Sequence, residues 1–216
     1  MPRAPTKKQL RERWSGPEVD IADSIRDEEA PFGEHEGRID LRGLTAPRRF
    51  FFSRTQWDGV DLTYADLSKS YAYTVFRNCV FDRAEMLSTA ANKFTHCSFK
   101  GANFHRPGIV GTYESCDFRL AKFRVARFPS ASVFRSCDFS EARFMSASFN
   151  RPTFESCSFD GARMKGGTLG RSTFKDCTFH NFEADHVVSS AVGLPDGLLV
   201  DVNGWSYTVD VANAKR

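Results

Sequence analysis

Large apolar side chains recur every five residues from Trp57 to Ala184, and no other feature of this chain restricts its fold as tightly. Trp57, Leu62, Leu67 and Ala72 open the series, followed by Phe76, Phe81, Met86 and Ala91. Later groups of four run Phe94, Phe99, Phe104, Ile109, then Tyr113, Phe118, Phe123, Phe128, then Phe134, Phe139, Phe144, Phe149. Phe154, Phe159, Met164 and Leu169 come next, and Phe174, Phe179 and Ala184 form an incomplete last group. The excess of Phe, 21 residues against 3 Trp and 5 Tyr, reflects one structural niche filled again and again.

A second register is small. Two residues before the second member of each group stand Val60, Cys79, Cys97, Cys116, Cys137, Cys157 and Cys177, so all 6 cysteines hold one equivalent position. Ala65, Ala84, Ala102, Ala121, Ala142 and Ala162 stand two before the third member. Neither a helical period of 3.6 nor a strand period of two produces this pattern. Four sides of five residues do, with the central residue and the one two before it pointing inward and the rest facing solvent. Only the step from the fourth member to the next first member varies, so length changes collect at one corner, at Arg106-Pro107-Gly108 and Pro129-Ser130-Ala131-Ser132. Loops on a rigid scaffold often carry function, although a solvent corner also tolerates slippage.

The motif is a small residue, a polar one, Leu or Phe, then two variable residues, as in Ala65-Asp66-Leu67-Ser68-Lys69, Cys116-Asp117-Phe118-Arg119-Leu120 and Cys137-Asp138-Phe139-Ser140-Glu141. In this the chain resembles the pentapeptide-repeat family over about 57 to 184, with a looser earlier turn near Ile39-Asp40-Leu41. The resemblance implies an all-β solenoid, a right-handed quadrilateral parallel β-helix. It also implies a candidate protein partner, because several members bind DNA gyrase or topoisomerase IV, imitate duplex DNA and protect the enzyme from quinolones or peptide toxins. Mimicry calls for an acidic surface. Here residues 57 to 184 carry 17 Lys and Arg against 13 Asp and Glu, and the whole chain has a formal charge of +3.

Both ends of a coil stack need covering. Residues 1–35 read as a polar segment with a short helix at about 17–29, signalled by Ser15-Gly16-Pro17-Glu18, and with a frayed first dozen residues. Residues 36–186 are the β-helix. Residues 187–216 hold a β-hairpin cap, with Asn203-Gly204 turning between Leu198–Val202 and Trp205–Val209. The alternative for this end is a dimer contact through Trp205 and Tyr207, so monomer and homodimer both stay open. A hairpin end departs from the gyrase-directed relatives, which typically finish in a helical dimerisation segment.

No phosphate loop, nucleophile elbow or paired-histidine zinc motif occurs, and the five His are scattered. The expectation is a non-enzymatic protein with no cofactor and no metal. The cysteines recur once per coil and read as buried, reduced thiols. Without an apolar signal core or a span of about 20 apolar residues, the chain reads as cytoplasmic with no membrane partner.

Outward positions on the third side read Lys122 and Arg124, then Arg143, then Arg163 and Lys165, a basic stripe that Arg127, Arg151 and Arg171 widen towards the next corner. The second side presents Asp61, Asp82, Asp117, Asp138, Glu141 and Asp160. Three readings follow: a modulator or protector of gyrase or topoisomerase IV, a generic protein-interaction scaffold, and nucleic-acid binding along the basic stripe.

Overall fold

The computed structural model describes residues 4–15, 31–46, 50–52, 56–68, 70–72, 75–86, 92–105, 108–185, 187–189, 191, 193–194, 199–202 and 205–208. The chain winds as a four-sided parallel solenoid. On the first side a seven-stranded ladder runs from Gln56–Asp58 to Thr173–Lys175, and on the third another runs from Asp66–Leu67 to Glu183–Asp185. The second side is held by single parallel bridges through Asp61, Val80, Ser98, Asp117, Asp138, Ser158 and Thr178. The fourth is shorter, with Phe50–Phe52 beside Ser70–Ala72 and Arg127–Phe128 beside the far half of Arg143–Phe149. The first coil begins earlier, at Ile39 and Asp40, which pair with Val60 and Asp61.

Coil-to-coil register explains the repeated phenylalanine. Phe76 lies opposite Phe94, Phe94 opposite Tyr113, and Tyr113 opposite Phe134, so aromatic rings stack down the tube. Their centroids are 5.1, 5.0 and 4.7 Å apart and the planes lie within 10° of parallel. A second stack, Phe81, Phe99, Phe118, Phe139, Phe159, repeats at 4.7 to 5.0 Å and meets the first edge-on, as Phe76 meets Phe81 at 85°. Each ring fully removed from water contributes about 1.5–3 kcal/mol, and stacking in register lets every coil use the same solution.

The small register does its own work. Each cysteine thiol reaches the carbonyl of the first-side central residue one coil back: Cys97 donates to Phe76 at 3.5 Å, Cys137 to Tyr113 at 3.5 Å and Cys157 to Phe134 at 3.6 Å. All six cysteines are free. Burial pushes the Cys137 thiol well above its ordinary pKa. A small, apolar side chain with a weak donor is what this corner accommodates.

A third regularity lies at the corners. The residue two after a central position takes a left-handed conformation, as at Gly59, Asn78, His96, Ser115 and Ser136 after the first side and Arg83, Gly101, Leu120 and Glu141 after the second. Each strand therefore turns abruptly into the next.

The N-terminus corrects one expectation. A helix spans Lys7–Glu12, within the residues expected to fray, and its capping box is Thr6 with Gln9. The helix expected at 17–29 lies outside the described residues. Leu10 and Trp14 are buried on the open end of the first coil, and Gly43 lets the helix settle there, since a Cβ at Gly43 would stand 2.6 Å from the Leu10 carbonyl carbon. Arg13 grips the buried Asp40 carboxylate at 2.6 and 2.9 Å, while the Trp14 indole donates to the Arg42 carbonyl at 2.8 Å. Burial alone disfavours the Asp40 charge, yet hydrogen bonds from Arg13 and Arg42 hold its carboxyl well below the usual carboxylate range. The pattern expectation missed this cap because its stability comes from docking rather than from an apolar period.

At the other end Leu199–Val202 and Trp205–Thr208 form the expected antiparallel hairpin, which packs beside the last strands, Glu183–Asp185 and Val188–Ser189. The Trp205 and Tyr207 side chains lie outside what is described. Among the described residues no helix is long and apolar enough to cross a membrane.

Candidate recognition face

The structure separates the two charged surfaces that the sequence suggested. On the second side one member of the acidic stripe is buried and most of the others are engaged while partly exposed. Asp61 is only 4% exposed, with His35 Nδ1 2.8 Å from its carboxylate and the Thr63 amide donating to it, so it belongs to the first-coil interior. Asp117 is gripped by Arg119 at 2.6 and 3.0 Å, and the same guanidinium reaches Asp138 at 3.7 Å. Asp82 accepts from the Ser98 hydroxyl and the Lys100 amide, and Asp160 accepts from the His180 amide at 2.9 Å. Only Glu141, at a left-handed corner, stands exposed without such a partner among the described residues. Part of this pairing is local, as Arg119 to Asp117, and part comes from coil stacking, which brings Ser98 to Asp82, Arg119 to Asp138 and His180 to Asp160.

On the third side the stacking has the opposite result. Parallel register sets Lys122 opposite Arg143 and Arg143 opposite Arg163, while Arg124 lies opposite Met145 and Met145 opposite Lys165. Like charges facing each other one strand apart are destabilising. Arg163 and Lys165 find relief in Glu183 at 3.1 Å and Asp185 at 3.7 Å. Glu85, towards the N-terminal end, is occupied by Asn103 at 2.8 Å and Lys7 at 3.7 Å. Among the described residues Lys122, Arg124 and Arg143 form no ion pair at all. The stripe thus has paired charges at both ends and, in the middle, three cations without an ion pair among the described residues.

Arg127 extends this surface onto the fourth side, where it pairs in register with Ser148. Arg151 and Arg171 lie beyond that side, in the turns leading to the next coil. The eight basic residues therefore do not form one flat stripe. Five lie on the third side and three wrap onto the neighbouring side and corner.

Three residues that charge reasoning passed over complete the centre. The large hydrophobic side chains exposed among the described residues are Leu120 at 43%, Val125 at 39% and Met145 at 50%. Leu120 and Val125 bracket the strand Lys122–Arg124, and Met145 sits beside Arg124 on the next coil, with the Val125 amide bonded to its carbonyl at 2.8 Å. Val125 is also a β-branched residue at φ 55, where L side chains crowd their own backbone. Among the described residues no other left-handed corner holds a β-branched side chain, so the corner register itself could have flagged Val125. Shallow hollows of about 460 and 560 Å³ open here, lined in part by Leu120 and Lys122 and by Phe123, Arg143 and Met145.

Comparison with known proteins bears on the scaffold. Residues 130–166 match the family Pentapeptide repeats, in 8 copies. Among curated sequences none matches the chain. A trypsin-treated form of QnrB1, a plasmid-mediated fluoroquinolone resistance protein, superposes with a TM-score of 0.58 at 19% identity, covering 77% of this chain and 88% of that one. HetL, a pentapeptide repeat protein involved in heterocyst differentiation regulation from the cyanobacterium Nostoc, aligns at 11% identity with a TM-score of 0.42, covering 87% and 98%. The five-residue register and the stacked central rings agree with the matched repeats, and the chain carries the repeat of the pentapeptide-repeat family.

Proposed function

We propose that this chain is a non-enzymatic, cytoplasmic binding protein that recognises a protein partner with the third side of its solenoid, centred on Lys122, Arg124 and Arg143. The observation that carries this reading is a coincidence of place. The third-side cations that form no ion pair among the described residues and the exposed large hydrophobics occupy the same two coils, while Arg163 and Lys165 on that side are paired with Glu183 and Asp185. Unrelieved like charge, exposed apolar area and a strained corner each cost stability, and proteins keep such costs where function needs them.

The narrower reading is that the partner is DNA gyrase or topoisomerase IV and the outcome is protection from topoisomerase poisons. Its support is the family resemblance and the shared scaffold of a fluoroquinolone resistance protein. A basic recognition face argues against DNA mimicry and for contact with the enzyme itself, leaving its DNA in place. Gyrase supercoiling with and without a fluoroquinolone tests this, comparing the wild type with Lys122, Arg143 and Arg163 changed together to Glu. Inhibition or drug protection that the triple change abolishes supports the narrower reading. An inert wild type at micromolar concentration removes gyrase as the target.

A further inference from the structure

Resting on the third side as the recognition face, we infer that its partner is an acidic amphipathic helix, one large apolar residue set among carboxylates. The face is a two-by-two block: Lys122 and Arg124 on one coil, Arg143 and Met145 on the next, paired in register. Residues on neighbouring coils stand about 4.8 Å apart and the two on one strand about 7 Å apart. Three corners are cations that form no ion pair among the described residues, and the fourth is a half-exposed methionine.

Two classes of macromolecule could meet three cations, and the apolar members decide between them. A nucleic-acid backbone uses the charges and leaves Met145, Leu120 and Val125 without a role. A protein segment uses both kinds of group, and methionine adapts readily to an apolar side chain. The segment cannot join as an extra strand. Lys122–Arg124 is already bonded to Asn103–His105 on one edge and to Arg143–Phe149 on the other, so no backbone edge is open for augmentation. Recognition must run through side chains. On a helix, positions i, i+3 and i+4 lie about 5–6 Å apart, close to the spacing of one coil. A helix laid on the face with Glu at three and four residues from a central Leu meets the cations and places the Leu against Met145.

The decisive experiment is fluorescence anisotropy of the full chain with three probes: a labelled Glu-rich helical peptide built on that spacing, a peptide of the same composition with the spacing scrambled, and a 20-base-pair DNA duplex. The expected result is saturable binding of the ordered peptide, weakened about tenfold by Lys122→Glu with Arg143→Glu and about threefold by Met145→Ser. All three substituted side chains are exposed, and circular dichroism verifies that the variants keep the fold. Equal binding of the scrambled peptide, or tighter binding of the duplex, overturns the helix assignment while leaving the face as the site. Binding of the ordered peptide that ignores the double charge reversal overturns both.

Discussion

The second and third sides of this solenoid are built from the same coils, at the same spacing, on the same interior, yet most outward charges of the one are engaged by neighbours and the central charges of the other are not. On the second side Arg119 bridges Asp117 and Asp138, and Asp160 meets His180. On the third side Lys122 faces Arg143 and Arg124 faces Met145, pairs that offer each other nothing. The repeat backbone dictates only that outward residues on successive coils become neighbours. Whether those neighbours complete each other is left to residue choice, and a run that leaves them incomplete marks a surface available to something else.

Changing the shared interior should break both sides at once. Phe118, fully buried between Phe99 and Phe139 at 4.8 and 4.7 Å, should cost about 3–5 kcal/mol on replacement by Ala, read by urea denaturation. A cost under about 1 kcal/mol would show that the ring stacks do not carry the fold.

Val125→Asn sharpens the contrast with opposite signs. Relieving a β-branched residue at φ 55 should raise stability by about 1 kcal/mol, seen as a higher Tm. The same change removes apolar surface and should weaken partner binding. A variant that gains stability and binds unchanged would show that Val125 is mere tolerated strain.

Smaller effects distinguish the charges. Arg119→Ala removes an ion pair whose partners both reach solvent and should cost about 0.5 kcal/mol, whereas Arg143→Ala should be neutral or slightly stabilising because it relieves like-charge contact. Equal costs in parallel denaturation curves would erase the distinction between the two sides.

The pH dependence follows the same division. Burial disfavours the Asp117 charge, but the Arg119 bonds prevail and hold its carboxyl below the usual range. A carboxyl depressed in the folded state adds stability above its unfolded pKa of about 3.9 and loses it as pH falls through the folded value. The difference between wild type and Arg119→Ala should therefore be full at neutral pH and shrink below about pH 4. Asp82 works in the opposite sense, because burial raises its pKa.

Most of the fold was legible because the five-residue spacing of Phe94, Phe99 and Phe104 admits few other geometries, and the cysteine and alanine registers fix which way each residue points. The site was legible in part. Lys122, Arg124 and Arg143 could be placed on one side by counting, but their lack of partners depends on register between coils. Asp61 looked like a surface acid by the same count and is buried, because the first coil is closed by His35 and the N-terminal helix rather than by another repeat. The helix at Lys7–Glu12 stayed hidden for a related reason. Leu10 and Trp14 are too few to make a period, and what holds them is Arg13 on Asp40 and a glycine that lets the backbone close in.

The central claim, that the third side at the Lys122–Met145 block meets the partner, is tested most directly by site-specific photo-crosslinking in the native cell. A benzophenone amino acid is placed at Met145 on the third side and, separately, at Ser158 on the second. The account predicts one discrete crosslinked species from position 145 that Lys122→Glu abolishes, and none from position 158. A crosslink from 158 alone, or one from 145 that survives the charge reversal, would contradict it.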